Sequence, residues 1–166
     1  MKSTANVAEH PIHPMLIPYP FAFLSGALGF RLAAAARRNP SLEQTANHLR
    51  AAGIASALIA AVPGVVDYLT VVPSGTPRQK ATVHALSNSG ALACFAAAAA
   101  ASRRPGATRG RVIGLETLGM MLLSVGGWLG GSLSYHHHVG VVEGESADAV
   151  RPWRPADESG WGTVGP

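Results

Sequence analysis

Histidines flank or begin the apolar runs of the chain, and they carry its main chemical signal. His10 and His13 precede the first run, His84 lies near the start of the third, and 136–138 follow the fourth. Asp67 lies near the end of the second run. Imidazoles with a carboxylate and no thiolate are typical of zinc, copper or iron sites, and two imidazoles on different helices suit haem iron.

Four apolar runs must position these side chains. They cover residues 15–36, 49–72, 81–102 and 112–135. As helices rising 1.5 Å per residue, each reaches about 33–36 Å, enough to cross a hydrocarbon core of about 30 Å. Only 13% of the residues are charged, about half the share usual in soluble domains. The sequence therefore predicts an all-α, integral membrane, antiparallel four-helix bundle, with a soluble four-helix bundle as the alternative.

The arginines predict the orientation of this bundle. Seven of them lie in or beside the two connections between paired runs: Arg37, Arg38, Arg50, Arg103, Arg104, Arg109 and Arg111. The positive-inside rule places these connections in the cytoplasm and both termini on the outer, periplasmic or extracellular, side. Topology accounts for these charges, so no nucleic-acid partner is predicted. Six histidines and Asp67 then lie at the outer face.

Local spacing adds detail to the predicted site. A proline follows both His10 and His13, which favours extended backbone with the two imidazoles on one side. Asn88 lies four residues after His84, so its amide is expected to hydrogen-bond or orient that imidazole. We predict metal ligands among His10, His13, Asp67, His84 and His137, and cofactor contacts from His84, His137 and Asn88. The alternative is that these histidines only bond water or lipid headgroups.

Two charged residues and a glycine pattern concern packing. Arg31 and Glu116 lie at similar depth in the first and fourth runs, so we expect a salt bridge between them. The alternative is that both side chains reach the headgroup region separately. Gly126-x-x-x-Gly130 and Gly127-x-x-x-Gly131 predict close approach of a neighbouring helix.

An ordered series of motifs resembles a known family. It comprises His10-Pro11-Ile12-His13-Pro14, Gly64-x-x-Asp67-Tyr68, His84-Ala85-Leu86-x-Asn88, Gly126-Gly127-Trp128-Leu129-Gly130-Gly131 and Tyr135-x-His137. Together they resemble the bacterial four-helix membrane family named domain of unknown function 2231, over residues 9 to about 142. The resemblance implies a multi-pass protein of the bacterial cytoplasmic (inner) membrane. By motif, the positions that it carries over to this chain are His10, His13, Asp67, His84 and His137. Fusions of some relatives to Rieske-type domains imply redox work beside a quinone pool.

The last 24 residues differ from the rest. Residues 1–142 are predicted to be the four-helix transmembrane domain, and 143–166 an extramembrane acidic tail. The tail contains Trp153 and Trp161 with several prolines, and cannot bury a core of its own. We predict that it docks onto a membrane-protein complex or a second copy of the chain.

The functional prediction is a small membrane subunit. Its outer-face cluster would bind haem or a transition metal ion and support electron transfer near a quinone pool, with quinone as a further candidate ligand. The alternative is a non-catalytic accessory subunit that docks through its tail. One cysteine, Cys94, excludes a disulfide framework, and no phosphate-binding or nucleophile motif is present. The pattern thus favours a protein that is not an enzyme by itself.

Overall fold

A computed structural model describes residues 3–8 and 10–137, with side chains to residue 135. Two short strands, β1 (Asn6–Val7) and β2 (His10–Pro11), form an antiparallel hairpin. Five helices follow: α1 (Ile12–Leu16), α2 (Pro18–Arg37), α3 (Pro40–Thr70), α4 (Thr76–Ser102) and α5 (Arg109–His137). The described chain is thus mainly α-helical, as predicted. Four of its helical segments, with α1 and α2 counted as one, are long and apolar enough to cross a membrane.

Helices α3, α4 and α5 begin before their apolar runs, because their first turns contain polar residues. Helix α3 begins at Pro40, where the side chain of Asn39 accepts hydrogen bonds from Ser41 N and Leu42 N. Such a cap satisfies amide groups that have no partner within the helix. Proline at the first helical position needs no donor there. The start of α3 therefore lies nine residues before the start of its apolar run.

His13 does not have the extended backbone that its following proline predicts. It lies in α1, and only His10 of the pair is in a strand. Pro14 is compatible with this helix because it occupies the first turn, where backbone N–H groups have no intrahelical acceptor. The expectation that both imidazoles project from one extended segment is therefore wrong.

The helices pack as two hairpins, α2 with α3 and α4 with α5. Leu24 contacts Gly53 in the first hairpin, and Phe95 contacts Gly119 in the second. Glycine lets the partner side chain reach the helix backbone, which is how small residues bring membrane helices together. Large apolar side chains such as Trp128, 82% exposed, lie on the outside of the bundle. This inside-out distribution suits a lipid environment.

Arginine and glutamate side chains join the hairpins at the end of the bundle where α2 meets α3. Arg31 and Glu116 are both fully buried, and Arg31 donates to both carboxylate oxygens at 3.2 and 2.9 Å. This confirms the predicted salt bridge. Arg50 donates to the same carboxylate at 2.9 Å and to the Ser102 hydroxyl at 2.9 Å.

Glu43 and Asn47 complete this ionic cluster, which comprises Arg31, Glu43, Asn47, Arg50, Ser102, Arg109 and Glu116. Arg31 pairs with Glu43, and Asn47 Oδ1 accepts from both Arg31 and Arg50 at 3.0 and 2.9 Å. Arg109 Nε lies 3.9 Å from Glu43 Oε2. The cluster contains residues from all four long helices and holds their polar groups away from lipid.

Neutralising Glu116 should destabilise the fold strongly. Glu116→Gln leaves two buried guanidinium groups facing an amide, and removing one partner of a buried ion pair costs about 3–5 kcal/mol. Thermal unfolding in detergent measures the loss. Arg37→Gln is the matched control, because Arg37 is exposed and also carries a full charge. Equal melting temperatures for Glu116→Gln and wild type would contradict the role of the cluster.

Candidate functional site

His13 is bound to the backbone of α3. Its Nδ1 lies 2.8 Å from the carbonyl oxygen of Ala60. A carbonyl can only accept, so Nδ1 carries the proton and a neutral ring has its lone pair on Nε2. The ring rests on Gly64, where a Cβ atom would lie 2.8 Å from Cε1 of His13. Glycine at position 64 therefore creates the space that the imidazole occupies.

His84 makes the same two contacts in the other hairpin. Its Nδ1 donates to the carbonyl oxygen of Gly126 at 2.7 Å, and its Cε1 lies 2.9 Å from the place of a Cβ on Gly130. Asn88 Nδ2 lies 3.1 Å from Nε2 of the same ring. The predicted contact between Asn88 and His84 is thus present. Gly126 in turn makes room for the Asn88 side chain.

The two imidazoles meet in a T-shaped arrangement between the hairpins. Their ring centroids are 6.3 Å apart, and the ring planes are nearly perpendicular at 87°. Each ring is fixed through Nδ1 to a main-chain carbonyl, and this contact holds both the tautomer and the orientation. Hydrogen bonds of this kind leave Nε2 as the metal-binding atom in many metalloproteins.

Asp67 belongs to a separate contact group. The Ser3 hydroxyl lies 2.7 and 2.8 Å from its two carboxylate oxygens, and the Ala5 amide donates to it at 3.4 Å. Asp67 is buried and so is Ser3. The carboxylate therefore anchors the segment before β1. The sequence offered no signal for this pairing, because a serine 64 residues away has no distinguishing motif.

The remaining predicted ligands lie elsewhere. His10 is exposed and its Nδ1 contacts the carbonyl of Ala8 at 2.7 Å. His137 is the last residue of α5, and its side chain lies outside the described residues. The structure thus brings together His13, His84 and Asn88, but it joins neither His10 nor Asp67 to them. Among the side chains that the structure describes, residues 3–8 and 10–135, no three of His, Cys, Asp or Glu form a group able to hold a metal ion.

Sequence reasoning did not identify Gly64 and Gly130 as the positions against which the two imidazole rings pack. We call these two positions the glycine seats. Both lie in motifs that we had noted for other reasons, the first before Asp67 and the second in the glycine repeat of α5. The repeat Gly126-x-x-x-Gly130 faces α4, as the packing prediction requires. The side chains that it accommodates, Asn88 and His84, are polar. A glycine that lies opposite a histidine can be recognised only once it is known which helices pack together.

A methyl group added at either glycine seat should displace the imidazole that packs there, whereas a methyl group added at a glycine with no neighbouring atoms should displace nothing. Gly64→Ala and Gly130→Ala place a methyl within 2.9 Å of an imidazole carbon, so each should lower the melting temperature. Gly127→Ala is the matched control, since no atom lies within 4 Å of its Cβ position. There alanine should be neutral or stabilising by about 1 kcal/mol. Equal effects at all three positions in thermal unfolding would exclude the two seats.

The family comparison agrees with this architecture. A family model described as predicted membrane protein (DUF2231) matches residues 9–143, most of the chain and all of its long helices. No curated protein and no solved structure matches the sequence. The matched segment includes the histidine pair, both glycine seats and the ionic cluster. The chain therefore belongs to the DUF2231 family of predicted membrane proteins.

Proposed function

We propose that this protein is a small membrane subunit that binds haem or a transition metal ion at His13 and His84 and supports electron transfer near a quinone pool. One observation carries the proposal: imidazoles from two different hairpins meet with both Nδ1 atoms bound to main-chain carbonyls. Their Nε2 lone pairs are then the atoms available to a metal.

The donor set fits haem better than a bare ion. The two rings, whose centroids are 6.3 Å apart, would be the protein ligands of the iron. Haem needs only these two protein ligands, because the porphyrin supplies the other four nitrogens. A bare ion needs further donors, for which His137 is the candidate.

Asn88 has a positioning role in this proposal. Its amide contacts Nε2 of His84, the atom that would bind the metal. A metal at this atom would therefore have to displace the Asn88 amide. When bound, haem iron would supply one-electron chemistry. The carbonyls of Ala60 and Gly126 orient the two imidazoles and would raise their basicity as ligands.

The proposed setting is an antiparallel four-helix bundle in the bacterial inner membrane, with both termini on the outer side. The arginine-rich connections support this orientation by the positive-inside rule. The histidine pair then lies toward the outer face. A quinone could approach through a neighbouring cleft of about 520 Å³, which is almost entirely apolar and is lined by Val7, His10, Ile12, Met15 and Leu16.

A non-catalytic accessory subunit is the second candidate. It is favoured by the partners that the polar groups already have: Asp67 with Ser3, and Nε2 of His84 with Asn88. In this alternative the histidines only connect helices. Docking onto a larger complex would use residues 143–166, which lie outside the described residues.

Haem uptake distinguishes the two candidates. Purified full-length protein with added haemin should show a sharp Soret band that shifts on reduction. His84→Ala should weaken binding at least 10-fold, the lower end of the loss usual for disturbed metal sites. His48→Ala is the control, because His48 is exposed on α3, far along the helix from Ala60. No uptake, or equal binding by both variants, would favour the accessory role.

A further inference from the structure

The two hairpins contain matching residues at constant sequence offsets. His84 follows His13 by 71 positions, and Phe95 follows Leu24 by the same 71. In the second helix of each hairpin the offset is 66: Gly119 follows Gly53, and Gly130 follows Gly64. These residues also make matching contacts. Each histidine rests on a glycine of its own hairpin, and Leu24 and Phe95 each contact the other glycine.

Burial repeats with the same offsets. The buried positions of α5 are 112, 116, 119, 126 and 133, and each lies 66 residues after a buried position of α3. The latter are 46, 50, 53, 60 and 67. In α4, buried positions 91, 95 and 98 lie 71 residues after the buried positions 20, 24 and 27 of α2. Both hairpins therefore present the same face to the bundle interior.

The contacts between the hairpins are reciprocal as well. Arg31 of α2 bonds Glu116 of α5, and the equivalent Ser102 of α4 bonds the equivalent Arg50 of α3. Three further contacts join a residue to its own equivalent: His13 to His84, Arg50 to Glu116, and Glu43 to Arg109. Contacts of both kinds are the signature of a two-fold axis between two copies of one unit.

We infer that the chain is a tandem repeat of one helical hairpin, with a pseudo-two-fold axis along the bundle, and that His13 and His84 hold a single ligand on this axis in equivalent roles. Both histidines lie at one end of the bundle and both charged pairs at the other, so the two hairpins are parallel to each other. Parallel repeats of this kind are related by an axis along the membrane normal.

This inference rests on the proposed function and narrows its ligand. Of the five histidine and aspartate positions predicted from the sequence, only His13 and His84 are equivalent to each other. His10 is equivalent to Ala81, Asp67 to Leu133, and His137 to Val71. Symmetry thus supplies two imidazoles and no third donor. Of the ligands proposed, an iron porphyrin is the one that would need no protein ligand beyond these two imidazoles.

The axis also explains the charges at the other end. A dimer of identical hairpins would place Arg50 against a second arginine and Glu43 against a second glutamate. In the fused chain the equivalent residues are Glu116 and Arg109, so each contact on the axis is an ion pair. Divergence of the two copies thus turns two repulsive contacts into attractive ones.

Exchanging equivalent residues tests the repeat without any ligand. The complete exchange swaps four pairs in the full-length chain: Arg31 with Ser102, Glu43 with Arg109, Asn47 with Ile113, and Arg50 with Glu116. If the hairpins are equivalent, every contact re-forms on the opposite side of the axis. The partial exchange, Arg50→Glu with Glu116→Arg, instead places an arginine beside Arg31.

We expect the partial exchange to melt about 10 °C below wild type, and the complete exchange to recover at least half of that loss. Recovery supports the repeat. A complete exchange that melts no higher than the partial one, or a partial exchange that melts like wild type, overturns it. Because no ligand is present, this result is independent of the proposed function.

Haemin then tests the equivalent roles. Wild type should give a six-coordinate low-spin spectrum, and His13→Ala and His84→Ala should convert it to the same five-coordinate form, whereas His137→Ala should not. Conversion by only one of the two variants, or by His137→Ala, overturns the shared site. Absence of haemin uptake overturns the proposed function and with it the ligand, while the exchange experiment still decides the repeat.

Discussion

A polar side chain inside a bilayer must find its partners within the protein, because lipid offers none. This constraint accounts for where the chain places its charges and imidazoles. Arg31, Arg50 and Glu116 are buried together at one end of the bundle, and the two histidines meet at the other end. Between these ends the buried face consists of alanine, glycine, Pro20, Leu24 and Phe95. The polar residues are thus concentrated where the hairpins contact each other.

Glycine makes this arrangement sterically possible. A ring can donate to a main-chain carbonyl of the neighbouring helix only if that helix has no side chain in the way. Gly64 and Gly130 provide that opening for His13 and His84, four residues after the carbonyls of Ala60 and Gly126. Helix packing and imidazole orientation are therefore one feature of the structure, and neither can change without the other.

The sequence predicted the helices well, but it predicted only some of the contacts between their side chains. Apolar length was enough to locate four helices that are long and apolar enough to cross a membrane, and equal depth was enough to pair Arg31 with Glu116. Helical spacing likewise placed Asn88 against His84. The Ser3–Asp67 contact and the helical backbone at His13 could not be predicted, because both depend on tertiary packing that local rules do not contain. Arg50 was assigned to topology alone, although it is buried against Glu116.

The internal repeat could not be recognised from the sequence for a related reason. In each hairpin, most buried positions carry different small or apolar residues, and contacts on the axis carry opposite charges. Identity survives at His13 and His84 and at two pairs of glycines that receive side chains, Gly53 with Gly119 and Gly64 with Gly130. At those positions the packing of the helices admits only one residue type. The repeat is therefore easier to recognise from the residue contacts than from a comparison of the two hairpin sequences.

The central claim is that His13 and His84 are fixed in the same way by equivalent contacts. Nitrogen-15 NMR of histidine-labelled, ligand-free protein in lipid reports which ring nitrogen carries the proton, with assignment by His13→Ala and His84→Ala. We predict that both neutral rings carry it on Nδ1, as the carbonyl contacts require. A proton on Nε2 of either ring, or different tautomers at the two positions, would contradict the account.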